Sequence, residues 1–244
     1  MLTMYIITIA FFAVTVVGFI YFSYKGYINK KESLAGIMAS VVVQVLTSTI
    51  TNVVNNTGVN IYITLVAELI IFCLLSIASL YIVFNYILKK DKPNKYSYSG
   101  FGFGFGLSVE IIQILPIVLN SFTYYNAISD GSIYELLAET LTTTEIDEIV
   151  AAFNAIPAVY YIALCLQAIM LFVGFAYIFD SFMTKNKGNI IEAIGLLFAM
   201  NFFMFIVPNF GSYNWYWLCV AGYIVLSVIC TYGLIRKQLI EFKK

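Results

Sequence analysis

The chain has 244 residues, of which 61% are hydrophobic and 11% charged, with equal numbers of acidic and basic side chains and a mean hydropathy of +0.91. Soluble domains have about 45–50% apolar and about 25% charged residues, so this composition excludes a soluble domain and indicates an integral membrane protein. The sequence contains no histidine, which excludes His-dependent hydrolases and His-ligated zinc. It also lacks a phosphate-binding loop, metal-binding cysteine spacing and a basic nucleic-acid patch. We therefore predict no cofactor, no metal and no nucleic-acid partner.

Apolar stretches long enough to span a bilayer recur along the whole chain. A helix needs roughly 20 apolar residues to cross about 30 Å of hydrocarbon. Seven stretches meet this length, at residues 3–24, 34–54, 61–88, 97–120, 157–182, 190–208 and 214–235. We therefore predict an all-α bundle of seven transmembrane helices, forming one domain over residues 1–244.

The basic residues all lie on one side of this predicted topology. Residues 25–33, 89–95 and 183–188 and the C-terminal tail hold all 13 Lys and Arg, whereas the other connections hold none. The positive-inside rule then places the N-terminus outside and the C-terminus in the cytoplasm. The first stretch lacks a basic leader and a cleavage site, so we interpret it as a span rather than a signal peptide. Abundant Ile, Asn, Lys, Tyr and Phe indicate an AT-rich bacterial gene, and hence the plasma membrane.

The stretch "SGFGFGFGLSVEIIQ" (residues 99–113) opens the fourth span. Backbone groups in hydrocarbon must be hydrogen-bonded internally, so we predict a helix. Gly102 and Gly106 then share one face that allows close helix packing, and Glu110 continues the same stripe. Gly100 and Gly104 form a second such stripe, and the phenylalanines point toward lipid or into other grooves.

A carboxyl group in the membrane interior is energetically unfavourable unless it has a partner. Glu110 and Glu68, in consecutive antiparallel spans, are predicted at a similar depth in the outer half of the bilayer. With no intramembrane Arg, Lys or His to neutralise them, at least one is expected to be protonated at pH 7. The alternative is two separate glutamates, each satisfied by nearby hydroxyl or amide groups. A supporting polar layer is predicted from Gln44, Gln113, Gln167 and Asn201.

The connection at residues 121–156 is purely acidic and is predicted to be an extracytoplasmic loop. Ser132 with Glu135, and Thr144 with Asp147, match the capping-box pattern. We therefore predict two short amphipathic helices here, forming either a lid over a cavity or a solvated loop.

These features together resemble the YhfC family of bacterial glutamic-type intramembrane proteases. The resemblance rests on the seven-span layout, "KKESLAGIMASVVVQ" in the second span, Glu68 in the third, the glycine run with Glu110 in the fourth, and "IPAVYYIALCLQ" after the acidic loop. It implies that Glu68 acts as general base and Glu110 as its partner acid, on a transmembrane peptide or protein substrate. Glu68 lacks the second Glu and the Arg of the family's Glu-Glu-x-x-Arg motif, and the family's histidines are absent. The resemblance therefore implies a member that is active or catalytically degenerate.

Two further classes of function stay open. A protonatable carboxyl pair in a polar layer is also what a proton- or cation-coupled transporter, or a substrate-binding membrane subunit, requires. In a structural or immunity-type membrane partner, the glycines would pack and the glutamates would only satisfy nearby polar groups. The three classes differ in whether Glu68 and Glu110 share one water-reachable cavity.

Overall fold

A computed structural model describes residues 2–24, 28–88, 97–183, 187–209 and 214–242. Every regular element in this part of the chain is helical. The helices are α1 (Leu2–Tyr24), α2 (Lys30–Asn55), α3 (Ile61–Ile82), α4 (Ser97–Gln113), α5 (Leu115–Asp130), α6 (Ile133–Leu137), α7 (Thr143–Asn154), α8 (Ala158–Met183), α9 (Lys187–Asn201) and α10 (Trp215–Phe242). A π-helical turn, Val83–Ile87, extends α3; a second one, Phe202–Ile206, and a 3-10 turn, Val207–Asn209, extend α9.

Six helical segments are long and apolar enough to cross a membrane, so the chain is a multi-pass membrane protein with an all-α fold. They correspond to the predicted second to seventh spans. In α1 the apolar stretch Thr8–Tyr21 is shorter than a full span, and a seventh crossing stays a prediction. Most of the basic connections lie outside the described residues. The predicted orientation therefore also stays a prediction.

The helix of the fourth span continues well beyond residue 120, where the acidic loop was expected to begin. α4 and α5 form one apolar helical segment, Tyr98–Asp130, which is 33 residues long. At 1.5 Å per residue this segment is about 50 Å long, well above the roughly 30 Å of the hydrocarbon core. The segment is therefore longer than a perpendicular crossing requires, and α6 and α7 follow its end. Gly131, at a φ of 79°, ends α5 in the left-handed conformation that favours glycine.

The two short helices follow α5, but their caps differ from the predicted ones. Ser132 makes no side-chain capping bond. The capping box of α7 lies two residues earlier than predicted: Thr142 N donates to Glu145 Oε2 over 2.8 Å, and Glu145 N donates to Thr142 Oγ1 over 3.4 Å. Asp147 instead accepts a 2.6 Å hydrogen bond from the Tyr134 hydroxyl, which joins α6 to α7.

α4 packs between α2 and α8, and each of its glycine stripes faces one of these two neighbours. Gly102 and Gly106 face α8: a Cβ at Gly102 would lie 2.5 Å from the Ala176 Cα, and one at Gly106 would lie 2.9 Å from the Leu171 carbonyl carbon. The residue numbers fall along α8 as they rise along α4, so these helices are antiparallel. The packing leaves no room for a side chain, as the spacing of the two glycines predicts.

The other stripe faces α2. A Cβ at Gly104 would lie 2.9 Å from the Ser33 Cα, and one at Gly36 on α2 would lie 3.0 Å from the Phe105 nitrogen. Ser33 Oγ also donates a 3.0 Å hydrogen bond to the Gly100 carbonyl. Here the residue numbers rise together, so α2 and α4 are parallel neighbours that meet closely near their first residues.

Two of the three phenylalanines of the glycine run lie in the core, and Phe103 is half-buried. Phe101 and Phe105 are fully buried. The ring of Phe105 lies 4.7 Å from Phe175 on α8 and 6.4 Å from Phe72 on α3, measured between centroids. Phe72 in turn lies 5.6 Å from Phe205 in the π-helical turn after α9. Aromatic rings thus connect α3 to α4, whereas the closest backbone packing of α4 is with α2 and α8.

Candidate functional site

A polar cavity of about 390 Å³ lies beside the C-terminal end of α4, between α2 and α3. We call it the Glu68 cavity. Its lining combines one carboxyl, two amide and three hydroxyl side chains with an apolar wall: Gln44, Val45, Thr47, Ser48, Thr49, Glu68, Phe72, Ile112, Gln113 and Phe205. The volume is within the roughly 300–1,000 Å³ of typical ligand pockets. Three residues predicted for the polar site, Glu68, Gln44 and Gln113, therefore come together.

The packing of α2 against α4 explains why the cavity opens where it does. The two parallel helices are in near-contact at Gly36 and Gly104, where neither carries a side chain. Two turns further along, both helices present a long amide at the cavity, Gln44 from α2 and Gln113 from α4. α3 brings Glu68 to the same cavity.

The end of α4 adds a backbone feature to the same site. Pro116 follows in the first turn of α5 and has no N–H, so it cannot donate the usual helical hydrogen bond to the Ile112 carbonyl. Ile112 lines the cavity. A proline in a membrane helix is tolerated where freed backbone groups are re-satisfied by protein, water or a cavity, and the break between α4 and α5 falls at such a place.

The polar groups of the Glu68 cavity are only partly used by the protein itself. The Gln44 amide donates to Ser40 Oγ over 2.9 Å. The Thr47 hydroxyl oxygen is buried and has no hydrogen-bond partner within the described residues. Glu68 is half-buried, makes no hydrogen bond or ion pair in this part of the chain, and has no basic residue beside it in the lining. The cavity thus contains a carboxyl group that the described part of the protein leaves unpaired.

Glu110 occupies a different environment. Its side chain is 0% exposed, and neither carboxyl oxygen has a hydrogen-bond partner among the described residues. It does not line the Glu68 cavity. The register that pairs Gly102 with Ala176 and Gly106 with Leu171 puts Glu110 level with Gln167 and Ala168 of α8. The structure therefore groups Glu68 with two glutamines and leaves Glu110 in the closed packing between α4 and α8.

A second, smaller cavity of about 200 Å³ lies on the far side of Gln113. Gln167, Tyr160 and Tyr223 are among its polar lining residues. Gln113 and Phe205 line both cavities, so these two side chains form the partition between them. Gln167, predicted as part of the polar layer, thus belongs to the second cavity.

Asn201 is the predicted polar residue that the protein uses internally. It is fully buried, and its amide donates to the Leu197 carbonyl over 2.7 Å and to Cys73 Sγ over 3.5 Å. It lines neither cavity. Its place at the end of α9, next to a π-helical turn, is a common location for irregular hydrogen bonding.

Two features of α2 were missed from the sequence. Thr47 and Ser48 lie one helical turn beyond Gln44, and that i, i+3, i+4 spacing was the available signal. Glu32, in the first turn of α2, is 0% exposed. A carboxyl near a helix N-terminus is electrostatically favoured, which could have identified it as a third buried acid.

Within the described residues, no group of three or more His, Cys, Asp or Glu side chains could hold a metal ion.

Comparison of the chain with family models, with curated proteins and with solved structures gives no match. The resemblance to the YhfC family thus stays a prediction from the sequence.

Proposed function

We propose that this membrane protein binds a ligand carrying a cationic or hydrogen-bond-donating group in the Glu68 cavity. The observation that supports this is the half-buried Glu68 carboxyl, which has no partner in the described part of the protein and lies in a cavity with Gln44, Gln113 and Thr47. A carboxyl in a membrane interior is unfavourable unless it is paired. A bound ammonium, guanidinium or amide group would supply the missing donor, either on a small solute or on a transmembrane segment.

The proposal is tested by ligand-dependent thermal unfolding of the purified chain in detergent. We expect members of a series of alkylammonium and guanidinium probes to raise the melting temperature. Glu68→Gln should abolish the rise, because the amide cannot pair with a cation. Glu110→Gln is the matched control, since Glu110 lies outside the cavity lining, and it should keep the rise. No stabilisation by any probe, or equal loss in both variants, would overturn the proposal.

Carbodiimide labelling tests the accessibility of the same site independently. This reagent modifies protonated carboxyl groups that it can reach. We expect modification at Glu68 and none at Glu110, whose carboxyl oxygens are buried. Modification is located by mass spectrometry of the digested chain, and faster reaction at Glu110 would contradict the assignment of the open site.

Hydrolysis is the second candidate, because Glu68 faces the same cavity as two amides that could donate hydrogen bonds to an oxyanion. In this case Glu68 would be the base that activates water, as the resemblance to the YhfC family implies. Cleavage of a transmembrane reporter in the plasma membrane of cells producing the chain is the measurement. Loss of cleavage in Glu68→Gln but not in Glu110→Gln would indicate that Glu68 acts without a second carboxyl group. Loss of cleavage in both variants would indicate a catalytic pair of carboxyl groups. An absence of cleavage in the unaltered chain would leave binding, or a structural or immunity-type role, as the function.

A further inference from the structure

An apolar groove of about 510 Å³ lies between α2 and α3, at the end remote from the turn that joins them. Its lining follows helical spacing on both helices: Lys31, Leu34, Ala35, Met38, Ala39 and Val42 from α2, and Ser79, Ile82, Val83 and Ile87 from α3 and its π-helical turn. None of these residues lines the Glu68 cavity. The groove is therefore a separate feature of the bundle.

Small side chains create the depth of the groove. Ala35 and Ala39 on α2 and Ser79 on α3 form part of its lining, while larger side chains such as Met38 and Ile82 are exposed. Exposed apolar residues on a membrane helix face lipid tails, so the groove has the surroundings of a lipid chain. A groove with this apolar lining along α2 and α3 matches the chemistry of a hydrocarbon chain.

Of the described residues that line the groove, Lys31 alone is basic, and it lies at one end. Lys31 is exposed and lies in the first turn of α2, where its backbone N–H is capped by the Asn29 side chain. The N-terminal end of a helix carries partial positive charge, which adds to that of the ammonium group. Glu32, the acid in the same turn, is buried, and no residue of α3 that lines the groove is acidic.

We propose that this groove binds an anionic phospholipid, with one acyl chain along α2 and α3 and the phosphate on Lys31. Lysine at the end of a span lies at the level of the lipid headgroups, and a basic residue there favours anionic lipid by about 1 kcal/mol. The apolar groove and the cation thus match the two parts of one molecule.

The test measures lipid preference at the groove itself. Trp215→Phe and Trp217→Phe remove the native tryptophans, and Ile82→Trp introduces one into the groove. Its fluorescence is then quenched with brominated phosphatidylglycerol or brominated phosphatidylcholine in vesicles of known composition. We expect about fivefold stronger association of phosphatidylglycerol, as one lysine near the surface predicts. Lys31→Gln should reduce that preference to about one.

Lys30→Gln is the matched control, because it removes the same charge from a neighbouring residue that faces the groove between α1 and α2 instead. It should keep the preference at Ile82→Trp. Val225→Trp, on the exposed face of α10, should report no preference. Equal effects of Lys30→Gln and Lys31→Gln would indicate diffuse surface charge and overturn the proposal.

A second readout avoids the introduced tryptophan. Native mass spectrometry of the full chain should retain phosphatidylglycerol through detergent exchange in Lys30→Gln and lose it in Lys31→Gln. A change of oligomeric state in Lys31→Gln, with lipid retention unchanged, would mean that a second copy of the chain occupies the groove, and the lipid proposal would be wrong.

Discussion

Gly102 and Gly106 lie where any side chain would meet backbone atoms of α8. Backbone cannot move aside as the end of a flexible side chain can, so Gly102→Ala is expected to destabilise the fold by about 1–3 kcal/mol, as overpacking does. The measurement is thermal unfolding in detergent. Gly195→Ala on α9 is the matched control: a Cβ there would have no atom within 4 Å, and the better helix propensity should stabilise by up to about 1 kcal/mol. Equal melting temperatures for both variants would contradict the close packing of α4 on α8.

Replacing Glu110 is expected to stabilise the fold, in contrast to replacing Gly102. Its two carboxyl oxygens are buried and unbonded within the described residues, and an unsatisfied buried polar group costs about 1–3 kcal/mol. Glu110→Met, which keeps the length of the side chain, is therefore expected to raise the melting temperature. Glu68→Met, in the open cavity, should change it less. A loss of stability in Glu110→Met would show that the carboxyl has a partner, such as an internal water.

Single residues show where prediction from the sequence succeeds and where it ends. The i, i+4 spacing of Gly102 and Gly106 determines a common face, because helix geometry is local. The partner of that face, α8, lies some 70 positions away and leaves no mark on the local pattern. In the same way, the sequence indicates that Glu110 is inside the membrane, but not whether its side chain meets a cavity or a wall of packed side chains.

At the scale of one element, the capping box of α7 gives a testable pH dependence of helix stability. Hydrogen bonds from the Thr142 backbone N–H and then from its hydroxyl hold the pKa of the Glu145 carboxyl below its usual value. The box therefore stabilises α7 fully above the pKa of the unfolded chain, about 4.3, and this contribution is lost as the pH falls through the lower folded value. We expect amide hydrogen exchange of residues 143–154 to become faster as the pH falls from the unfolded pKa of Glu145 through its folded pKa. The reference at each pH is the exchange rate of Glu145→Gln.

Thr142→Ala removes the box at neutral pH. Amide exchange in α7 should then be about fivefold faster than in the unaltered chain, as expected for the loss of an N-cap. Thr144→Ala is the matched control, because Thr144 was the predicted cap and has no capping bond in the structure. Faster exchange in Thr144→Ala than in Thr142→Ala would mean that the cap lies where the sequence first indicated.

The elements themselves follow from hydropathy, but their irregularities do not. Apolar length predicts α2, α3, α8 and α10, since a span needs about 20 apolar residues whatever its neighbours are. The extension of α5 to Asp130 was missed, because polar residues after position 120 indicated a loop although the helix continues. No local pattern records the π-helical turn Phe202–Ile206, in which the Phe205 ring packs against Phe72.

At the scale of the whole molecule, the open question is the direction in which the chain crosses the membrane. The distribution of Lys and Arg predicts that the connection between α6 and α7 is outside. Thr140→Cys, in a chain whose four native cysteines are replaced by alanine, should therefore react with an impermeant maleimide on intact cells. Lys30→Cys should react only after the membrane is permeabilised. The reverse pattern would contradict the predicted orientation.

An epitope tag decides whether α1 crosses the membrane. An epitope fused ahead of Met1 should be detected on intact cells if the chain has seven spans, and only after permeabilisation if it has six. The sequence predicts the first result, because Lys25 follows the apolar stretch and no basic residue precedes it. The number of helices and the identity of their neighbours are thus separate problems. Composition predicts the number of spans. Local sequence patterns do not predict that α2 packs against α4 as well as against α3.

The position of α4 between α2 and α8 has a consequence for biosynthesis. α4 is rich in glycine, which weakens a helix, and carries a carboxyl group that is unfavourable in lipid. The side of α4 that holds Gly102 and Gly106 can be covered only by α8, which the ribosome completes after residue 183. Until then the nascent chain holds an unprotected, weakly inserting segment in the translocation machinery. A chain truncated before α8 is thus an incomplete bundle that exposes a glycine-rich helix with a carboxyl group, which is the kind of feature that membrane quality-control proteases recognise.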